Sequence, residues 1–260
     1  MPFWVRVPGG DDETVAAMAE FATTGIEEAG ESVTAWFASA EEAARCAAGF
    51  ASREVESGEV ARANWNEAWQ REWQPMEVGR RWYLAPPWDP APAPGGRIRL
   101  AMHAGNAFGN GDHPATHLCM VAMEERLPPG GRFLDVGCGS GLLCEAAGLL
   151  GAAVAGGCDL DADAVGGAGG LGLVWIGSVH AAASQSFDFV VANLPAPVTV
   201  SLLGEIARVL PPGGWLVASG LLEDQVEAVR AAAAGAGFTV VETRTAGEWR
   251  ALVLRAVRAA

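Results

Sequence analysis

The run Phe133-Leu134-Asp135-Val136-Gly137-Cys138-Gly139-Ser140-Gly141 constrains the fold of this chain more than any other feature. A short apolar stretch that reads as a buried strand leads straight into three glycines at alternate positions, and Leu142 to Leu150 then reads as a helix. Glycines let a turn come up against a ligand without Cβ atoms, and the free N–H groups at a helix start face that ligand. Twenty-four residues after Asp135, a second apolar run ends at Cys158-Asp159-Leu160-Asp161. A carboxylate at the tip of that strand accepts both hydroxyls of a ribose. The pair predicts a nucleoside site on an α/β sheet. The plainer alternative is tight strand-to-helix packing, with Asp159 as a helix cap.

The flanking sequence supports the sheet. Val154 to Cys158, Val174 to Ile176, Phe187 to Ala192 and Trp215 to Ser219 are short apolar runs without alternation, as expected of parallel strands buried on both faces. The tail, Phe238 to Thr243 and Trp249 to Val257 around Gly247, reads as a hairpin, so the sheet is expected to close with an antiparallel strand. Residues 1–62 read as strand (Phe3 to Val7), helix (Asp12 to Thr23), strand (Ser32 to Phe37) and helix (Ala40 to Phe50), a small α+β domain. Residues 63–100 hold five of the ten tryptophans and a proline cluster from Pro86 to Pro94. Trp65, Trp69 and Trp73 share one helical face, suited to docking on a neighbouring surface or, as the alternative, to stacking a ligand. The stretch from Ala85 to Gly96 reads as a hairpin tip or linker, because proline interrupts helix interiors and central strands. The expected organisation is a small domain over 1–62, a linker region over 63–100 and the nucleoside-binding domain over 101–260.

Composition removes several functions. The net charge is −14, and all 17 basic residues are arginine. A chain without lysine has no P-loop lysine, no Schiff base and no kinase-type ATP lysine. The acid surplus opposes direct nucleic-acid binding, whose affinity comes from cations on phosphates, and a basic membrane-surface helix. No signal region and no apolar spanning run are present, so the expectation is a soluble, cytoplasmic protein. Five scattered cysteines without C-x-x-C spacing indicate reduced thiols, with neither a disulfide framework nor a metal site.

Spacing separates the candidate nucleosides. Dinucleotide binders use G-x-G-x-x-G to seat a pyrophosphate. Here the order is acid-x-G-x-G-x-G, which resembles the first motif of class I S-adenosylmethionine (AdoMet) methyltransferases, a family whose sheet ends in an antiparallel strand. Further on, Phe187-Asp188-Phe189-Val190-Val191-Ala192-Asn193-Leu194-Pro195 closes the fourth strand on Asn-Leu-Pro. Ligands lie over the carboxyl ends of such strands, so Asn193 is expected in the same crevice as the glycine loop. It resembles the Asn-Pro-Pro-aromatic and Asn-Ile/Leu motifs of amine and amide methyltransferases, although a strand-end asparagine also forms turns.

A narrower resemblance rests on Asn106-Ala107-Phe108-Gly109-Asn110-Gly111-Asp112-His113-Pro114-Ala115-Thr116-His117-Leu118-Cys119. This segment is similar to the A-F-G-T-G-x-H-x-T-T element of the ribosomal protein L11 methyltransferase (PrmA) family, which also carries a tryptophan-rich stretch like Asn64 to Trp69. The resemblance implies an α/β Rossmann-like domain attached to a small ferredoxin-like substrate-recognition domain. It implies AdoMet as cofactor, with contacts from Phe108, Gly109, Thr116, Asp135, Gly137, Gly139, Gly141, Asp159 and Asn193. At the third strand tip, Ser178 offers a hydroxyl where many methyltransferases place a carboxylate for the adenine amino group. Asn193 is the expected catalytic residue, and His113 is expected to shape its loop, with a general-base role as the alternative. The implied activity is N-methylation of amino groups on a basic protein substrate, a ribosomal protein foremost. The alternatives are a catalytically silent AdoMet-fold module and a small-molecule methyltransferase. Departures from the pattern are Asn110, Ala115 and a shortened Gly166-Gly167-Ala168-Gly169-Gly170 stretch where the family builds one wall of the adenine pocket. The sequence sets no oligomeric state.

Overall fold

The computed structural model describes residues 3–29, 32–59, 74–102, 111–162, 164–165 and 172–257. Phe108, Gly109, the Trp65/Trp69/Trp73 face and the Gly166 to Gly170 stretch lie outside these residues. The chain divides into two compact units, residues 1–72 and 73–260.

The first unit contains β1 (Phe3–Pro8), α1 (Asp12–Met18), β2 (Thr23–Ala29), β3 (Ser32–Phe37), α2 (Ala40–Gly49) and β4 (Glu56–Glu59). Its sheet has the order β2-β3-β1-β4, and all three pairings are antiparallel. Val5 and Val7 pair with Ala35 and Val33 and are buried, whereas the alternate pair Trp4 and Trp36 stays outside that core. Local chemistry sets the helix starts. The Asp11 carboxylate accepts from Thr14 N at 3.0 Å while Thr14 Oγ1 accepts from Asp11 N at 3.2 Å, and Ser39 Oγ accepts from Glu42 N at 3.3 Å. Two strands depart from the sequence reading. The first helix ends at Met18 rather than Thr23, and Thr23–Ala29 is a strand whose alternation is obscured by a bulge between Thr23 and Gly25 and by Glu27-Glu28. β4 has no apolar residue to announce it and is held as an edge by pairing with β1.

The second unit begins with β5 (Met76–Val78), β6 (Trp82–Ala85) and β7 (Ile98–Ala101), a three-stranded sheet in the stretch that reads as a linker. β5 and β6 form an antiparallel hairpin, and β7 returns parallel to β6, so the prolines occupy the crossover where no ladder bond is required. Trp82, Leu84 and Leu100 are fully buried in the core of this unit. The Trp82 indole donates to the Met120 carbonyl at 3.2 Å, and the Glu124 carboxylate accepts from the backbone N–H groups of Arg80 and Arg81 at 2.9 and 3.0 Å.

There follow α3 (Pro114–Arg126), β8 (Arg132–Val136), α4 (Leu142–Leu149), β9 (Val154–Asp159), β10 (Leu173–Ile176), β11 (Phe189–Asn193), α5 (Ala196–Val209), β12 (Trp215–Leu222), α6 (Val226–Gly235), β13 (Phe238–Ala246) and β14 (Trp249–Ala256). The seven-stranded order is β10-β9-β8-β11-β12-β14-β13. Strands β8 to β12 pair in parallel, while β14 inserts antiparallel between β12 and β13, as the tail hairpin predicts. Both faces are buried: Phe133, Phe189, Val191 and Val217 pack on one side, and Leu134, Val190, Leu216 and Leu254 on the other. This explains why the strands lack alternation. The strand order reverses between β8 and β11, which opens a crevice at the carboxyl ends of the strands. No helix among the described residues is long and apolar enough to cross a membrane, and none of their His, Cys, Asp and Glu side chains cluster so as to hold a metal ion.

Candidate active site

That crevice holds a cavity of about 830 Å³, within the ordinary range for a bound small molecule. Gly137, Gly139, Cys158, Asp159 and Ser178 line one side, and Asn193, Leu194, Leu222 and Trp249 line the other. Glycine is needed in the first loop for a concrete reason. Gly137, Gly139 and Gly141 have φ of +76°, +50° and +82°, where a side chain would be strained. The alternate spacing of the motif is therefore an alternation of left-handed turns that carries the chain from β8 into α4, with Gly141 at the helix cap.

The loop differs from the expectation of free N–H groups facing a ligand. Gly137 N and Cys138 N both donate to the Cys158 carbonyl, at 2.8 and 3.0 Å, and Gly141 N donates to Cys138 O at 2.9 Å. Gly139 N donates to Asp159 Oδ2 at 2.9 Å. The loop thus spends three of these donors on β9 and the fourth within itself, and offers close approach in place of an anion cradle. Its partner gains orientation: Asp159 Oδ1 accepts from Asp161 N at 3.0 Å, so each carboxylate oxygen is held by one backbone donor and keeps lone-pair capacity for another. Two spare acceptor positions side by side match a vicinal diol. Asp159 does not cap a helix in the manner of the plainer alternative; its two bonds tie the loop to the strand tip.

Asp135 sits one step below the loop and is only 2% exposed. Its Oδ1 is buried without a donor. Burial, with Asp159 nearby as a second cause, pushes the Asp135 carboxyl well above the usual carboxylate range. On the opposite side Asn193, the last residue of β11, donates through Nδ2 to Thr116 Oγ1 at 3.3 Å, while its Oδ1 is buried without a donor. Thr116 is 1% exposed and lies behind Asn193, not on the cavity wall, so the structure gives its hydroxyl the task of holding that amide. The bulge in β12 between Ala218 and Leu221 brings Gly220 (φ +80°) against this group: a Cβ there would stand 3.0 Å from Leu194 O and 3.1 Å from Asn193 Oδ1. Ser219 Oγ donates to Ala115 O at 2.9 Å, tying the bulge to the start of α3. His113 caps α3, its Nδ1 accepting from Ala115 N at 3.2 Å, and also lines the cavity. The Cys138 and Cys158 thiols are pushed by burial up to about 12, so neither is a nucleophile at neutral pH.

Of the sequence candidates, Gly137, Gly139, Asp159, Ser178 and Asn193 meet around one cavity; Asp135, Thr116 and Gly141 support it from behind; Phe108 and Gly109 lie outside the described residues. Sequence reasoning missed Trp249 and Gly220. Trp249 stands edge-on to His113, with ring centroids 4.6 Å apart and an interplanar angle of 66°. The tail hairpin that identifies the sheet also delivers this ring, and its only sequence signal is an aromatic residue opening the strand after Gly247.

The residues present fit an aminoacid-bearing nucleoside such as AdoMet: a diol acceptor at Asp159, loop glycines without side chains, and two buried oxygens, on Asp135 and Asn193, that lack donors among the described residues. Comparison with known proteins points the same way. The family model described as "Ribosomal protein L11 methyltransferase (PrmA)" matches residues 12–257. The ribosomal protein L11 methyltransferase of Gloeobacter violaceus is 41% identical over 205 residues, covering 75% of this chain and 64% of that protein. The one from Desulfosudis oleivorans is 36% identical over 205 residues, covering 74% of this chain and 68% of its own length. The match thus spans about two thirds of these relatives. Among solved structures, the ribosomal protein L11 methylase from Lactobacillus delbrueckii subsp. bulgaricus superposes with a TM-score of 0.66 at 24% identity, covering 72% of this chain and all of that one, which supports the fold. The chain belongs to the ribosomal protein L11 methyltransferase (PrmA) family.

Proposed function

We propose that the protein is an AdoMet-dependent N-methyltransferase acting on amino groups of a basic protein, a ribosomal protein foremost, in the cytoplasm. The observation that carries this reading is the meeting, in one cavity, of a diol-accepting carboxylate at the end of β9 and a donor-less amide oxygen at the end of β11. Bound AdoMet supplies a methyl group activated by a sulfonium. The rest falls to the chain. Asp159 holds the ribose, and the Gly137 to Gly141 turn admits the donor closely. Asn193 Oδ1 accepts an N–H of the incoming amine and so aims the nitrogen lone pair along the line of transfer. The bond from Asn193 Nδ2 to Thr116 fixes which way the amide faces. Leu194, Leu222 and Trp249 exclude water, and alignment with exclusion of water is most of what such a displacement needs. The acids on the cavity wall, Asp159 and Asp161, are on the nucleoside side, so the amine reaches Asn193 as the neutral base after losing its proton to water.

The first unit, with its β-α-β-β-α-β order, serves in this reading as the ferredoxin-like recognition domain. Residues 1–100 and 101–260 each carry a charge of −7, so an acidic surface meets a lysine-rich substrate and speeds encounter. Mass spectrometry of a basic ribosomal protein after incubation with AdoMet tests the proposal. The expected result is added methyl mass, abolished by Asn193→Ala with AdoMet binding kept within a few-fold. Absence of AdoMet binding by calorimetry at high protein concentration overturns it.

A further inference from the structure

In the strand order, β9 and β10 lie to one side of β8 and β11, and β12 and β14 lie to the other. The cavity spans both sides. Its β9 side carries the nucleoside residues and both wall acids, Asp159 and Asp161. The other side is walled by Val198, Ser201 and Leu202 of α5, Leu222 at the end of β12, Gln225 in the turn that follows and Trp249 of β14. No carboxylate among the described residues lines this second side, and most of its surface is aliphatic.

Gln225 is the exception. After β12 the chain makes a single 3-10 turn, Glu223–Gln225, and the Gln225 side chain folds back so that its Oε1 accepts from Leu222 N at 3.0 Å. That bond fixes which way the carboxamide faces, because only its oxygen accepts, and it turns the two N–H groups of Nε2 away from the backbone. Nε2 has no acceptor among the described residues. Ser201 differs: its Oγ donates to Val198 O at 2.7 Å, so its proton is spent within α5. The turn is fixed from β14. Arg250 Nε pairs with Glu223, Arg250 Nη1 donates to Gly247 O at 2.8 Å and Trp249 O at 3.0 Å, and Leu222 pairs with Trp249 in the ladder.

Asn193 pairs with Ser219, and the turn bearing Gln225 comes further along from Ser219, beyond the end of β12. This side of the cavity therefore presents an amide oxygen without a donor at Asn193, aliphatic walls, and an amide nitrogen without an acceptor at Gln225. The matching molecule has an N–H at one end, an aliphatic stem and a carbonyl at the other end. A lysine residue within a peptide has this form, since a four-carbon stem separates its amine from its main chain. A free alkylamine leaves Gln225 unpaired. A chain-terminal α-amine has its carbonyl beside it and leaves the aliphatic walls unfilled.

We propose that Gln225 is a specificity-determining residue: its Nε2 donates to the main-chain carbonyl of the residue whose side-chain amine reaches Asn193, which selects lysine side chains in a peptide over free alkylamines. This rests on the amine-transfer reading of the cavity given above.

The test is calorimetric binding to the S-adenosylhomocysteine complex, which needs no turnover, of two probes with the same stem. N-acetyl-lysine N-methylamide carries main-chain carbonyls, and n-pentylamine carries none. The wild-type complex is expected to prefer the capped lysine by about fivefold or more, the scale of one hydrogen bond. Gln225→Glu keeps an oxygen for Leu222 N but places lone pairs where the donor stood, and it is expected to bring the preference to within about twofold with the unfolding midpoint unchanged. Gln225→Met removes both functions and is expected to lose the preference and lower the midpoint. No preference in the wild-type complex, or a preference retained by Gln225→Glu, overturns the assignment. Failure of the wild-type complex to bind either probe instead overturns the amine reading itself, so the two outcomes are separable.

Discussion

At the amino ends of the parallel strands, Arg132 of β8 donates to Asp188 through N, Nε and Nη2 at 2.9, 3.1 and 2.9 Å and adds a contact to Gln185 O at 3.3 Å. Nearby, Trp215 at the start of β12 is flanked by the guanidinium groups of Arg255 and Arg126, 4.3 and 5.3 Å from the ring centroid. At the carboxyl ends of the same strands the chemistry inverts. Among the described residues Asp135 and Asn193 keep buried oxygens without donors, whereas glycines with left-handed φ occur at both ends, Gly130, Gly151, Gly172 and Gly213 before the strands and Gly137, Gly139, Gly141, Gly177 and Gly220 at the other. A carboxylate buried without a partner and turns open only to glycine both cost stability. At the amino end the Asp188 carboxylate finds its donors within the protein and a cation, Arg126, keeps one buried N–H unpaired, whereas at the carboxyl end it is acceptors, an oxygen of Asp135 and one of Asn193, that are left without donors, as at sites that trade stability for function.

That contrast is broken most severely at Asp159. Asp159→Ala removes the proposed diol acceptor and also frees the Gly139 N–H, and it is expected to weaken S-adenosylhomocysteine by about 100-fold or more, as read by calorimetry. Gly220→Ala comes next. Its Cβ meets Leu194 O and Asn193 Oδ1 in a left-handed conformation, so the expected cost is about 1–3 kcal/mol of stability in denaturant unfolding, together with a lower kcat and little change in cofactor affinity. An unchanged kcat would detach the bulge from the acceptor amide.

Asp135→Asn sharpens the comparison with the opposite sign. The folded protein holds this carboxyl above its usual range, so its burial is tolerated at low pH, and stability is lost as pH rises from the ordinary carboxylate range toward the raised value. The ligand-free variant is expected to be more stable than wild type at pH 8 by about 1–2 kcal/mol and no more stable near pH 3, measured by urea unfolding. Loss of stability at pH 8 would mean that Asp135 has a charged partner. The smallest effect is expected at the other end. Arg132 beside Asp188 holds that carboxyl below its usual range, so the pair contributes above about pH 4 and is lost as pH falls further. Both side chains are about one-third exposed or more, and Arg132→Ala is therefore expected to cost under about 1 kcal/mol and to leave ligand affinity untouched.

Legibility followed how locally each feature is encoded. The unpatterned runs at Phe133, Val154, Phe189 and Trp215 disclosed doubly buried strands, and the tail hairpin disclosed the antiparallel closure, because burial and turns leave a record within a few residues. β4 was invisible, since Glu-Ser-Gly-Glu becomes a strand only by pairing with β1. Trp82, Leu84 and Leu100 read as linker residues because prolines stand between them, yet they are core residues once β7 returns beside β6. In the site, Asp159, Asn193 and the glycines were legible as strand-end chemistry, while Trp249 and Gly220 were not. Their sequence distances from the motifs they support are bridged only by the folded sheet.

The sequence by itself determined the kind of sheet, the glycine loop and the acids and amide at its strand tips, because each depends on a handful of consecutive residues with one physical use. Only the tertiary structure decided how those groups are spent. It turned the loop donors onto Cys158 and Asp159 and placed Thr116 behind Asn193, since hydrogen-bond partners tens of residues apart are chosen by packing and not by spacing.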